Sequence, residues 1–178
     1  MKRDISFDLE TLATTPDAYI LSIGACKFDI ESGSILDTLY IPVICGKDRH
    51  IDVSIVMWWL EQPEDPRSKV TNDFTKSISL IDALIKIYGF VENDDRVWGN
   101  GATFDISILE DAYYRSDPKI HCPWKFYNVR DVRTILDIAV VNGFDKSSVP
   151  REGEKHNALD DAIYQAMLVI ESYKFLKR

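Results

Sequence analysis

The segment Ser6-Phe7-Asp8-Leu9-Glu10-Thr11 constrains this chain more than any other. Ile5, Phe7 and Leu9 alternate with Ser6, Asp8 and Glu10, which is the period-two signature of a strand with one core-facing side. Residues i and i+2 of a strand share a face, so Asp8 and Glu10 stand side by side next to an apolar core. Two neighbouring carboxylates repel, and each costs on the order of several kcal/mol to desolvate without a counter-charge. A divalent cation between them is one resolution, and hard oxygen ligands favour magnesium or manganese. The other is structural: one acid solvated on an edge, the other in a salt bridge. Asp-x-Glu by itself does not choose between them.

The chain has 178 residues, enough for one domain over residues 1–178 with a substantial core. Apolar residues make up 46% and charged residues 28%, the balance of a water-soluble globular protein. No apolar run approaches the ~20 residues that a membrane span requires, and the N-terminus leads into the first strand without a signal-like apolar stretch. Cys26, Cys45 and Cys122 are odd in number, widely spaced and free of C-x-x-C patterning. That argues against a zinc or disulfide framework and for a reducing, cytoplasmic setting, in a bacterium or a phage-infected host. The net charge of -8 speaks against nucleic-acid binding if taken alone. Its distribution is uneven, however. Residues 119–155 carry seven basic and five acidic residues, through Lys119, Lys125, Arg130, Arg133, Lys146, Arg151 and Lys155, whereas residues 1–118 are strongly acidic.

Three strands are expected first, at residues 4–9, Asp17–Phe28 and Ile35–Ile41, joined as an antiparallel meander with a Ser32-Gly33 turn. A short helix with the pair Trp58-Trp59 follows at Val53–Leu60, stopped by Gln62-Pro-Glu-Asp-Pro66. A second helix spans Ser77–Glu92, with Ile78, Ile81, Leu84, Ile85 and Tyr88 at helical spacing. Strands at Arg96–Trp98 and Trp124–Tyr127 alternate with helices from about Thr103 to Tyr114 and from Val129 to Val141, and Asn157–Phe175 forms a long final helix. This order implies an α/β fold: a mixed sheet, antiparallel in its first three strands and parallel beyond them, flanked by helices.

Asp105 falls just after a strand, with Ile108, Leu109 and Ala112 as its same-face neighbours in the helix. An acid on an apolar helix face again asks for a counter-ion, because a helix N-terminus contributes only about 0.3–1 kcal/mol. An acid interacting only with the helix dipole is the plainer alternative. The carboxyl ends of strands are where ligand sites of α/β folds lie. The last helix opens with His156-Asn-Ala-Leu-Asp-Asp161-Ala, with Asn157 as N-cap and Leu159, Ala162, Ile163, Ala166, Met167, Ile170 and Tyr173 as its apolar stripe. Asp160 and Asp161 both lie off that stripe, and periodicity does not choose between them. His156 precedes the cap on a loop.

Taken together, Asp8-Leu-Glu10, Asp105 in Asn-Gly-Ala-Thr-Phe-Asp, and His156-Asn-Ala-Leu-Asp-Asp161-Ala resemble the three exonuclease motifs of the DEDD superfamily. A histidine five residues before the last aspartate marks the DEDDh branch. Ser54-Ile-Val-Met-Trp-Trp59, Ala102-Thr-Phe-Asp105 and Lys125-Phe-Tyr-Asn-Val-Arg-Asp-Val-Arg-Thr134 are similar to the T-even-phage exonuclease A type, a 3'-to-5' exonuclease. The resemblance covers the chain from residue 4 into the last helix and implies a ribonuclease-H-like fold. It implies Asp8, Glu10, Asp105 and Asp161 as ligands of two divalent cations, Mg2+ or Mn2+, and His156 as general base. Asp161 is preferred over Asp160 because the family places that ligand five residues after the histidine and before an alanine.

The residue types suit the chemistry independently. Two cations roughly 3.5–4 Å apart activate water and stabilise a leaving oxygen, and histidine accepts a proton near neutral pH. The expected reaction is release of nucleoside 5'-monophosphates from a free 3' end. By resemblance, Leu12 meets the terminal nucleotide and Thr11 offers its backbone N–H to the 3'-hydroxyl. Trp59, Asn100 and Phe104 stack on or hydrogen-bond the last bases, while core packing is the alternative for at least one of Trp58 and Trp59. Arg130, Arg133, Arg151 and Lys155 are candidate phosphate contacts, with a solvated surface role as the alternative for each, and Asp131 is read as supporting the site residues or as structural.

Single-stranded DNA is the expected substrate and RNA the alternative, as for an exoribonuclease or oligoribonucleotidase. A non-catalytic nucleic-acid-binding module is disfavoured by the intact acid cluster, and a hydrolase of small nucleotides stays open. A homodimer is also left open.

Overall fold

The computed structural model describes residues 3–177, apart from 65–67, 69–74, 93 and 118. Six strands form one sheet: β1 (Asp4–Thr11), β2 (Ile20–Asp29), β3 (Ser34–Ile44), β4 (Ile78–Ser79), β5 (Arg96–Gly99) and β6 (Val129–Asp131). Their order is β4-β3-β2-β1-β5-β6. The first three are the antiparallel meander. β5 runs parallel to β1, β6 to β5 and β4 to β3. Among the described residues, five α-helices flank the sheet: α1 (Val53–Glu61), α2 (Leu80–Phe90), α3 (Asp105–Arg115), α4 (Val132–Val141) and α5 (Ala158–Leu176). This is the expected α/β architecture. None of the described helices is long and apolar enough to cross a membrane.

Both faces of the sheet are covered, and β1 divides them. Ile5, Phe7 and Leu9 belong to a core with Leu84 and Ile87 of α2 and Ile106, Leu109 and Ala112 of α3. On the other face, Cys26, Phe28 and Trp98 pack with Val132 of α4 and Ala162, Ala166 and Val169 of α5. The strict alternation of β1 would suit a strand with one wet face, yet α5 covers the polar row. The three cysteines are free thiols.

Several boundaries differ from expectation, each for a local reason. Trp124–Tyr127 is not a strand: Phe126–Asn128 is a 3-10 turn, and the strand is Val129–Asp131, taken from the start of the expected helix. Val129 pairs with Val97, and the Asp131 side chain accepts from the Thr134 backbone N–H, so the helix starts at Val132. Likewise Ser79 accepts from Asp82 N–H and delays α2 to Leu80, leaving Ile78–Ser79 to pair with β3. β2 begins at Ile20 instead of Asp17, and β3 continues past Pro42 to Ile44. α3 begins at Asp105 itself. On α2, Ala83, Leu84 and Ile87 are buried while Ile81, Ile85 and Tyr88 are exposed, so the expected apolar stripe is only partly the buried one. The α1 stop falls at Gln62 as expected, and Asp65 and Pro66 lie outside the described residues.

Candidate active site

The polar row of β1 changes character along its length. Asp4 accepts from the Trp98 indole N–H and the Arg96 guanidinium, each at 2.7 Å. The Ser6 hydroxyl donates to Gln165 Oε1 at 3.1 Å, and Gln165 Nε2 donates to Asp8 Oδ1 at 2.6 Å. Glu10 follows, 8% exposed, and faces the loop ahead of α5. The helix comes this close because Gly24 is the cross-strand partner of Asp8. A Cβ at Gly24 would lie 2.0 Å from the Ala158 carbonyl oxygen, so only glycine lets the first turn of α5 settle against the strand.

Asp105 reaches the same place from the opposite neighbour. β5 ends at Gly99, a turn follows with Gly101 at φ 101°, and α3 opens on Asp105. The buried side chain accepts from the Leu9 backbone N–H at 3.1 Å, which ties it to β1 between Asp8 and Glu10. Asp131 fixes this turn by accepting from Ala102 N–H at 2.7 Å while it caps α4, the structural role expected of it. Ile108, Leu109 and Ala112 are buried on the same helix face.

The start of α5 separates its two acids. Asn157 caps the helix through Leu159 and Asp160 N–H, as expected. Asp160 turns back to accept from Glu154 N–H and so organises the loop. Asp161 Oδ2 accepts from His156 N–H at 2.9 Å, and its Oδ1 pairs with the Arg151 guanidinium, which also lies 4.6 Å over the Tyr164 ring. His156 has φ 61°, the left-handed region that non-glycine residues seldom enter. There its backbone serves Asp161 while its ring meets Trp58 edge-on at 5.1 Å. Ligand atoms of Glu10, His156 and Asp161 all lie within 4.8 Å of one another.

The electrostatics follow from this crowding. Burial pushes Asp8 well above the usual carboxylate range, and the Asp105 and Glu10 charges push it further. Glu10 is raised to about 8 by burial and by Asp105. Asp105 is raised by burial to about 7, although backbone N–H groups at Leu9 and Asn100 oppose the rise. His156 is held below its ordinary value by burial and by the Arg151 and Lys155 charges. Clustered carboxylates that resist ionisation because they are buried together, beside one imidazole, are a donor set suited to hard divalent cations.

Two cavities meet at the acids. One, of about 260 Å³, is mostly apolar and is lined by Leu9, Glu10, Thr11, Trp58, Trp59 and Phe104 among others. The second, of about 320 Å³, includes Asp8, Asn100, Arg151, Lys155, His156 and Asp161. Trp59 is buried and donates its indole N–H to the Thr11 carbonyl at 2.9 Å, whereas Trp58 is the exposed ring of the pair. Leu12 and Arg130 line neither cavity. Leu12 is held through its backbone to Tyr19 and Asp52, and Arg130 donates to the Tyr127 and Val129 carbonyls. Arg133 donates to the Asn100 side chain at 3.3 Å. Sequence reasoning missed Ser6, Gly24, Tyr164 and Gln165, and named Lys146, which lines the second cavity, only as part of the basic segment. The available signal was Gln165 itself, a polar residue one turn beyond Asp161 and next to Ala166 of the apolar stripe.

The model of the Rv2179c-like 3'-5' exoribonuclease domain family matches residues 3–173. No curated protein matches the chain in sequence. Among solved structures, the fold is similar to that of exonuclease I. The zinc-bound E. coli exonuclease I complex with single-stranded DNA has a TM-score of 0.64 at 15% identity over 99% of this chain and 40% of that one. The E. coli enzyme with a dA16 oligonucleotide has a TM-score of 0.69 at 14% identity, over 99% and 42%. Exonuclease I from Methylocaldum szegediense has a TM-score of 0.68 at 14% identity, over 96% and 41%. The chain thus spans about two-fifths of the length of these structures.

Proposed function

The chain belongs to the Rv2179c-like family of 3'-5' exoribonuclease domains, and from that membership we propose that it hydrolyses single-stranded nucleic acid from a free 3' end. The products are nucleoside 5'-monophosphates. One observation carries this reading: Asp8, Glu10 and Asp105, brought from β1 and α3, crowd where burial opposes their charge, and the start of α5 brings His156 and Asp161 to Glu10.

Asp8, Glu10, Asp105 and Asp161 would hold two divalent cations, Mg2+ or Mn2+. Bound there, the cations supply the positive charge that neutralises the phosphodiester and stabilises charge developing on it. His156 is the general base. Its ring is neutral at pH 7 because its pKa is held down, so the nitrogen facing Glu10 and Asp161 takes a proton from the attacking water. Trp58 holds the ring edge-on and Asp161 holds its backbone, so the base is oriented before substrate arrives. The apolar cavity takes the terminal base between Trp58 and Phe104, with Trp59 fixing the Thr11 carbonyl beside it. Such stacking contributes about 1–3 kcal/mol per base and is indifferent to sequence. Lys155 presents positive charge to the backbone phosphates from the second cavity, where Arg151 is already paired with Asp161.

RNA is placed first among substrates, because the matching family is described as an exoribonuclease over nearly the whole chain. Single-stranded DNA is the second reading. It is favoured by the likeness of residues 125–134 to the phage exonuclease type and by the single-stranded DNA in the exonuclease I complexes. The test is digestion of 5'-labelled single-stranded RNA, single-stranded DNA and dinucleotides side by side. A ladder shortening from the 3' end, fastest on RNA, is expected. Shortening from the 5' end, or binding without cleavage, overturns the proposal.

A further inference from the structure

Gln165 has no place in the set of acids and histidine, yet it is one of the most tightly held polar side chains near them. It is 3% exposed and belongs to the α5 face that packs on the sheet. Its two amide atoms are both engaged across a long sequence gap: Nε2 donates to Asp8 Oδ1 at 2.6 Å, and Oε1 accepts from the Ser6 hydroxyl at 3.1 Å. Ser6 is fully buried and precedes Asp8 on the same strand face. A buried amide without partners is costly, by about 1–3 kcal/mol for each unsatisfied group, so a core position would ordinarily be apolar. Here the neighbours along the stripe, Ala158, Ala162, Ala166 and Val169, are apolar; the buried polar residues of the helix are Gln165 and Ser172, and Gln165 is the one above Asp8.

We propose that Gln165, locked by Ser6, is a positioning residue that fixes the Asp8 carboxylate for divalent-cation binding. This inference rests on the metal-site reading above. The form of Asp8 that would hold a cation is the ionised carboxylate, which only accepts hydrogen bonds, so the amide turns its NH2 to Asp8 and its oxygen to Ser6. The Ser6 hydroxyl then donates, as it does here. With Oδ1 committed to Gln165, the Asp8 side chain is held in one rotamer and its other oxygen is left for the cation. The relay also fixes α5 to β1 one turn beyond Asp161, so the two acids from opposite ends of the chain keep their spacing. Outer partners of this kind typically change metal affinity by about 10–100-fold.

The test uses the full chain and Mn2+ alone as probe. Gln165→Met keeps the volume and apolar contacts but removes the donor. Calorimetric Mn2+ titrations, with a melt of the metal-free protein alongside, should show about 10-fold weaker binding and little change in melting temperature. Ser6→Ala should weaken binding less, and should add nothing in the Gln165→Met background, since both act through one relay. Wild-type Mn2+ affinity in Gln165→Met overturns the inference, as does a lowered melting temperature with unchanged affinity. A wild-type chain that binds no Mn2+ overturns the metal-site reading and this inference with it, and the two failures are told apart by that control.

Discussion

The two ends of β1 carry the same kind of residue in opposite states. Asp4 and Asp8 stand on one face of one strand, four residues apart, and both meet α5 or the core beneath it. Asp4 is buried against a guanidinium and an indole N–H, both at 2.7 Å. Burial still holds it above the ordinary carboxylate range, but the next-largest influences on it are those two donors, and they favour its charge. Asp8 is buried against Asp105 and Glu10, whose charges oppose its own, with a neutral amide as its closest donor. The fold thus gives Asp4 two donors that favour its charge and leaves Asp8 beside two carboxylates, at the end that the proposed function assigns to metal binding. Strongly perturbed groups of that kind cluster at functional sites.

The comparison is sharpest if each end is altered in turn. Asp8→Asn should lower nuclease activity by more than about 10⁴-fold, beyond the loss from removing a general base. The metal-free protein should melt no lower than wild type, because a buried acid beside two others has been removed. A variant that is both active and less stable would place Asp8 with Asp4. His156→Ala should reduce the rate by about 10²–10⁴-fold while Mn2+ binding, followed by calorimetry, persists. Gly24→Ala forces the first turn of α5 away from Asp8. A misplacement of about 1 Å at reacting groups costs about 10²-fold in rate, and the overpacking costs about 1–3 kcal/mol in denaturant melts. Asp4→Asn should show the reverse balance. Its rate should be near wild type, but stability should fall by about 2 kcal/mol, since Arg96 is left without its anion though partly open to solvent.

The smallest effect is a pH dependence. In the folded, metal-free chain Glu10 and Asp105 hold protons up to about pH 8 and 7, whereas unfolded they release them near pH 4. The folded state thus binds more protons between these values, so stability falls as pH rises through that window. His156, held below its ordinary value, works the other way only below about pH 6.5. Melts with EDTA from pH 6.5 to 8.5 should therefore show a falling melting temperature, and saturating Mg2+ should flatten it, because cations replace the protons. A flat profile in EDTA would contradict the raised carboxylates.

Much of this was legible in the residues themselves. The alternation of β1 announced its acids, the stripe below Asp105 announced a buried acid, and Asn157 announced its cap. What stayed hidden depends on contacts between distant segments. Periodicity could not separate Asp160 from Asp161, because the difference is a hydrogen bond to Glu154 against one to His156. Nothing local at Gly24 points to Ala158, more than a hundred residues away. Residues 124–131 misled because Asp131 caps the helix and frees Val129 to pair with β5. Of the two tryptophans, only packing decides that Trp59 is buried while Trp58 remains open beside His156.

The most direct test is the rate of 3'-end shortening of labelled single-stranded RNA after EDTA treatment, measured as Mg2+ is restored. No shortening is expected in EDTA, with full recovery on adding Mg2+ and no recovery in Asp8→Asn. An undiminished rate in EDTA, or recovery in Asp8→Asn, would contradict the assignment of the unbalanced end of β1 as the catalytic metal site.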